Sequence, residues 1–175
     1  MFAGFAERVV GRDSVRWVRC TIAMTVEFFG LWLANAYLFP QFVGVFPAAR
    51  DISSAVGITV LICIACLASR RPSVFDEARI AVASLTVYPL AFGLICFGVL
   101  YAEPALLVAG AVLRVASTRW ITLLAGVSLC SMPARACMSC IAAAYCLSYC
   151  ARAVFAEASP VVCTVTLFLC PYVVY

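Results

Sequence analysis

The sequence predicts an all-α, polytopic membrane protein with six transmembrane helices, and three observations lead to this prediction. Hydrophobic residues make up 66% of the 175 residues and charged residues only 11%, whereas soluble domains are nearer to about 45–50% apolar and about 25% charged. The mean hydropathy is +1.11, and the apolar residues are grouped in runs long enough to cross a bilayer as helices. Most of the arginines lie between these runs, as in the loops of membrane proteins.

The predicted spans are separated by short links that contain charged residues or proline. They cover residues 17–39, 52–69, 80–101, 105–130, 134–151 and 159–175. Residues 1–16 precede them as a basic segment, which we interpret as a cytoplasmic topogenic flank; the alternative is a short helix on the membrane surface. The last run has no polar flank after it, so we expect the chain to be a fragment.

The distribution of the arginines predicts the orientation. A cytoplasmic N-terminus places most of the loop arginines inside, namely Arg8, Arg12, Arg16, Arg19, Arg70, Arg71, Arg79 and Arg135. Only Arg50 and Arg152 then lie outside. Because arginine is enriched in cytoplasmic loops, we predict a multi-pass protein of the cell inner membrane with its N-terminus inside.

Three charged residues lie deep within the predicted spans, away from the span ends: Glu27 in the first, and Arg114 and Arg119 in the fourth. A central arginine costs at least about 2.5–3.5 kcal/mol to insert, so it is normally paired or faces a wet cavity. Helix rise places Glu27 and Arg114 at the same depth, and Arg119 about 7–8 Å nearer to the cytoplasm. We therefore predict a Glu27–Arg114 pair between spans one and four.

This pair has two interpretations. It fixes the register of the two helices only, or it belongs to a pocket in which Arg114 or Arg119 binds a small anionic ligand. A break of the fourth run into two half-helices near these arginines is the remaining alternative.

Two cysteine pairs form a second constellation. Cys63 and Cys66 in the second run and Cys137 and Cys140 in the fifth are each spaced i,i+3, so the members of each pair share a helix face. Four thiolates form a possible zinc site, but the separation of the two pairs does not match a zinc ribbon. We interpret these cysteines as packing residues and predict no cofactor.

No phosphate-binding loop, dinucleotide fingerprint, metalloprotease motif or hydrolase nucleophile elbow occurs in the sequence. Histidine and lysine are absent as well. We therefore expect neither an enzyme nor a chain that binds nucleic acid by itself.

The segment Arg114-Val-Ala-Ser-Thr-Arg119-Trp120 resembles the arginine motif in span four of major-facilitator-type transporters, although the glycines of that motif are absent. The link at residues 68–73 keeps the basic character of the family's loop between spans two and three. The resemblance implies one six-helix half of a transporter. A second six-span half or a homo-oligomer is then the expected partner, beside the lipid bilayer.

A second resemblance covers about residues 15–175. Gly110, Arg114, Ser117, Trp120 and Gly126, followed by Arg135, Cys137, Ala143, Tyr145 and Tyr149, resemble the membrane-embedded N-terminal region of certain LuxR-type regulators. In those proteins a facilitator-like region precedes a cytoplasmic helix-turn-helix domain. The resemblance implies the sensor region of a transcriptional regulator, with the DNA-binding domain missing from this chain. A transporter half and an uncharacterised six-span protein are the alternatives.

Overall fold

The computed structural model describes residues 12–70 and 77–174, and within these ranges every regular element is a helix. The helices are α1 (Arg12–Leu33), α2 (Ala49–Arg70), α3 (Glu77–Leu100), α4 (Pro104–Cys130), α5 (Ala134–Phe155) and α6 (Pro160–Val174). A π-helical turn, Ala34–Leu38, and a short α-helix, Phe39–Phe42, continue α1. The all-α prediction is confirmed. Most of the predicted N-terminal segment, residues 1–11, lies outside the described residues.

Five helical segments in the described part of the chain are long and apolar enough to cross a membrane. They are Ser14–Phe42, Ala49–Ala68, Ile80–Leu100, Pro104–Cys130 and Ala134–Phe155. Helix α6 is also apolar, but it has 15 residues, fewer than the usual span of about 20. Length and composition therefore support five of the predicted spans, and the sixth stays a prediction.

Helices α3 and α4 form a tight antiparallel hairpin. The N–H of Glu103 donates to Gly98 O over 2.9 Å, and the N–H of Ala102 donates to Val99 O over 3.4 Å. These bonds match a Schellman cap, in which the residue after the helix adopts a left-handed conformation. Ala102 has φ 52° in the place where glycine is usual. Pro104 then begins α4, where its missing N–H leaves no hydrogen bond unmade.

Helix α4 lies at the centre of the bundle and packs against α1, α2, α3 and α6. Close approach depends on glycine. A Cβ on Gly98 would lie 2.5 Å from Leu107 N, and one on Gly110 would lie 2.7 Å from Ile95 N. The sequence also suggests Gly93 as a packing residue because small residues permit close helix contact. A Cβ on Gly93 would meet nothing within 4 Å, so this glycine does not determine the α3–α4 distance.

Helix α5 packs along α1. The indole N–H of Trp17 donates to Ser139 Oγ over 3.0 Å near one end of this seam. Near the other end, Arg152 Nη2 donates to the carbonyl oxygen of Phe28 over 3.3 Å. Its Cζ lies 4.6 Å from the ring centroid of Tyr149. The Arg152 side chain therefore links the end of α5 to α1.

The core lies where α1 and its π-helical continuation meet α3, α4 and α6. It is made of fully or nearly fully buried side chains, including Leu33, Leu38, Phe42, Tyr88, Ile95, Leu107 and Leu167. The outer faces of the helices are also apolar: Val154 is 77% exposed, Leu100 73% and Met138 71%. Soluble monomers rarely expose apolar surface in such continuous patches, so the perimeter suits a lipid environment.

Candidate functional site

A partly open cavity of about 70 Å³ lies beside this core, and all three charged residues singled out in the sequence line it. Four helices, α1, α3, α4 and α6, supply its walls. The lining residues are Val26, Glu27, Gly30, Leu31, Tyr88, Arg114, Val115, Thr118, Arg119, Leu167, Cys170 and Pro171. The walls are thus largely apolar, and the charges are concentrated on α1 and α4.

The Glu27 carboxylate is held by two groups on α4. Thr122 Oγ1 donates a 2.9 Å hydrogen bond to Glu27 Oε1. Arg119 Nη1 lies 3.9 Å from the same oxygen, which satisfies an ion-pair distance but is too long for a hydrogen bond. The side chains of Arg119 and Glu27 are 28% and 30% exposed. This is therefore a loose, partly solvated ion pair, of a kind that contributes little stability.

Arg119 rests against helix α2. A Cβ built on Gly57 would lie 3.2 Å from Arg119 Nε and would overlap Val115. The absence of a side chain at Gly57 therefore leaves the space that the guanidinium occupies. Arg119 Nε is buried there without a hydrogen-bond partner.

Arg114 is the more deeply buried arginine, with 9% of its surface exposed. It does not form the predicted ion pair with Glu27: the arginine within 4.0 Å of that carboxylate is Arg119. The Arg114 Cζ instead lies 5.8 Å from the ring centroid of Phe39. A cation over an aromatic ring is stabilised by about 0.5–2 kcal/mol, which compensates only part of the cost of burying a charge.

The π-helical turn of α1 positions Phe39. The N–H of Phe39 bonds to Ala34 O, five residues back, and Pro40 has no N–H to restore the α-helical pattern. Arg50 contacts the same region: its Cζ lies 5.3 Å from the Phe39 ring centroid, and its Nη2 donates to Asn35 Oδ1 over 2.8 Å. A second guanidinium thus flanks Phe39.

Tyr88 closes the cavity toward α6. Its hydroxyl donates to Leu167 O over 2.9 Å, and the side chain is 1% exposed. Sequence reasoning did not select Tyr88 or Thr122 as site residues. Thr122 follows Arg119 by three residues and Thr118 by four, a spacing that places these polar side chains on one face of α4. This row of polar side chains within an apolar run is the sequence feature that indicates Thr122 as a site residue.

The cysteine pairs do not converge. Cys63 and Cys66 are exposed on α2, whereas Cys137 is half-buried and Cys140 is buried on α5. Across the described ranges, no three histidine, cysteine or acidic side chains are grouped as metal ligands. Cys140 instead accepts a hydrogen bond from Thr21 Oγ1, with 3.2 Å between the hydroxyl oxygen and Sγ.

No known protein family matches this sequence, and no curated protein or solved structure is detectably similar to it. Functional inference therefore depends on the chemistry of the cavity. Two guanidinium groups, one carboxylate and two hydroxyl groups within largely apolar walls can bind a small polar ligand and select it by charge.

Proposed function

We propose that this chain is the membrane-embedded sensor region of a LuxR-type transcriptional regulator and that its small ligand binds in the cavity between α1, α3, α4 and α6. The observation that carries the proposal is Arg114, a buried cation that lines this cavity and has no carboxylate within ion-pair distance among the described residues. Buried charges in membrane helices normally mark sites of function or pairing, and the described residues offer this charge no ion-pair partner.

The residues that suggest the LuxR-type family also support the proposal by their positions. A Cβ on Gly110 would meet the backbone of α3, so α4 and α3 lie close together there, and Arg114 follows Gly110 by one helical turn on the cavity wall. Arg114, one of the residues that carry the resemblance, therefore lines the cavity. The five long apolar helices and the apolar perimeter support a membrane location, and we propose that this membrane is the inner membrane.

The N-terminal half of a facilitator-type transporter is the second candidate. The convergence of Glu27 from α1 and two arginines from α4 on one cavity favours it, because transporters bind substrates between helices near the bilayer midplane. The two candidates differ in their output: a sensor changes transcription, and a transporter changes solute accumulation.

A pair of chromosomal point variants separates these functions. Arg114→Gln removes the cavity charge, and Arg135→Gln is the matched control because it removes an exposed arginine outside the cavity. For a sensor, RNA profiling shows a defined gene set altered by Arg114→Gln and unchanged by Arg135→Gln. A normal RNA profile with impaired solute accumulation in membrane vesicles contradicts the sensor and supports the transporter. No difference in either assay contradicts both.

A further inference from the structure

The charges that line the cavity do not balance. Arg114 and Arg119 contribute two positive charges and Glu27 one negative charge. In the described part of the chain, no other carboxylate lines the cavity. A buried cation without a counterion is unfavourable in a low-dielectric interior, so the cavity favours the binding of one additional negative charge.

Arg114 is better placed than Arg119 to bind that charge. Arg119 already lies 3.9 Å from Glu27 and is packed against Gly57. The groups described near the Arg114 guanidinium are the Phe39 ring and the side chains of Tyr88 and Cys170, and none of these three is a carboxylate. A guanidinium presents two parallel N–H donors to a planar oxyanion, which gives a bidentate, charge-assisted contact.

The space inside this partly open cavity suits a small ligand. Its volume is about 70 Å³, and one water-sized position occupies about 10–15 Å³ of such a volume, so it holds about five non-hydrogen atoms. Sites for larger organic ligands measure about 300–1,000 Å³. Apolar side chains such as Val26, Val115 and Leu167 form much of the remaining wall and offer no further polar contacts.

We propose that the cavity binds one small monovalent oxyanion, nitrate or a short-chain carboxylate. Arg114 is the main residue that binds this anion, and the Glu27 carboxylate competes with the anion for the positive charge of the arginines. This inference rests on the proposed ligand-binding function and specifies the ligand class. Because Glu27 already neutralises one of the two arginines, a monovalent anion leaves the occupied cavity neutral. Replacing Glu27 by an uncharged residue then strengthens binding, whereas replacing Arg114 weakens it.

The test measures binding to the purified full-length chain in detergent. Sodium nitrate and sodium acetate are titrated by isothermal calorimetry and by thermal unfolding at constant ionic strength, with sodium gluconate as a bulkier anion for comparison. We expect saturable binding of nitrate or acetate but not of gluconate. Arg114→Gln weakens it about tenfold or more, because a charge-assisted hydrogen bond is lost. Glu27→Gln strengthens it about tenfold, because a like charge is removed, and Arg135→Gln leaves it unchanged.

Several results overturn the inference. Equal stabilisation by gluconate indicates a general salt effect, and equal affinities of the parent and Arg114→Gln exclude Arg114 as the ligand. If Arg114→Gln does not fold, Glu27→Gln decides, since unchanged or weaker anion binding contradicts the competition. If neither nitrate nor acetate binds while Arg114→Gln still alters the gene set in cells, the anion inference fails and the sensor function stands. If nitrate or acetate binds but Arg114→Gln leaves transcription unchanged, the anion inference stands and the sensor function fails.

Discussion

At the scale of single residues, the direction in which helical side chains lean determines which arginine lies near Glu27. Side chains of an α-helix point back toward its N-terminus. Arg114 therefore leans along α4 toward Phe39, whereas Arg119, further along the helix, leans back to within 3.9 Å of Glu27. Thr122 completes the set with its hydrogen bond to the carboxylate.

A double-mutant cycle tests this assignment of partners. The variants are Glu27→Gln, Arg119→Gln, Arg114→Gln and the two double variants that contain Glu27→Gln, each measured by thermal or denaturant unfolding in detergent. We expect a coupling energy of about 0.2–1 kcal/mol between Glu27 and Arg119, the range of partly exposed ion pairs. Coupling between Glu27 and Arg114 is expected to be clearly smaller. A larger coupling with Arg114 would show that the two arginines exchange roles in solution.

The three charged residues of the site could be found from the sequence, but their pairing could not. Counting residues gives the depth of a Cα atom in the membrane, and by this count the Cα atoms of Glu27 and Arg114 lie at the same depth. It does not give the reach or the lean of a long arginine side chain, which shifts the contact to Arg119. The position of Phe39 beside the arginines could not be predicted either, because it depends on the π-helical turn before Pro40.

At the scale of helices, the distance between α4 and α3 is set by glycines that face the backbone of the neighbouring helix. A Cβ on Gly110 would lie 2.8 Å from Ala91 O as well as close to Ile95 N. Backbone atoms inside a helix cannot move independently, so a side chain at this position must push α3 and α4 apart. This contact holds the wall that carries Arg114 in place.

Gly110→Ala is therefore expected to destabilise the protein by about 1–3 kcal/mol, the usual cost of overpacking. Gly93→Ala on the facing helix is the matched control. Its Cβ meets nothing within 4 Å, and alanine is favoured over glycine in a helix by about 0.5–1 kcal/mol. Thermal unfolding of both variants in the same detergent measures the difference. Equal stabilities would contradict the close α3–α4 contact.

The helices themselves could be predicted closely from hydrophobic runs and proline positions. The fourth run, 105–130, differs by one residue from α4, which Pro104 begins. The first helix differs more, because the predicted span ends at residue 39 whereas α1 continues to Phe42 through the π-helical turn. Proline removes one α-helical hydrogen bond but does not prevent a π-helical turn, so the presence of Pro40 does not predict where this helix ends.

At the scale of the whole molecule, the distribution of apolar surface connects the fold with the proposed location. Apolar side chains cover the perimeter, while Glu27, Arg114 and Arg119 line the partly open cavity between the helices. This arrangement is expected of helices surrounded by lipid, where charged groups face the interior of the bundle. We therefore propose that the charged cavity lies within a membrane-spanning bundle, and we predict that α6 supplies the sixth crossing.

Topology mapping tests this claim most directly. Reporters active on only one side of the inner membrane are fused after Val45, Val74, Ala102, Met132, Glu157 and Tyr175. We predict that these sites alternate, beginning outside and ending inside, with the N-terminus in the cytoplasm. Fusions after Glu157 and Tyr175 on the same side would reduce the bundle to five spans, and cytoplasmic activity at all six sites would contradict a membrane-spanning bundle altogether.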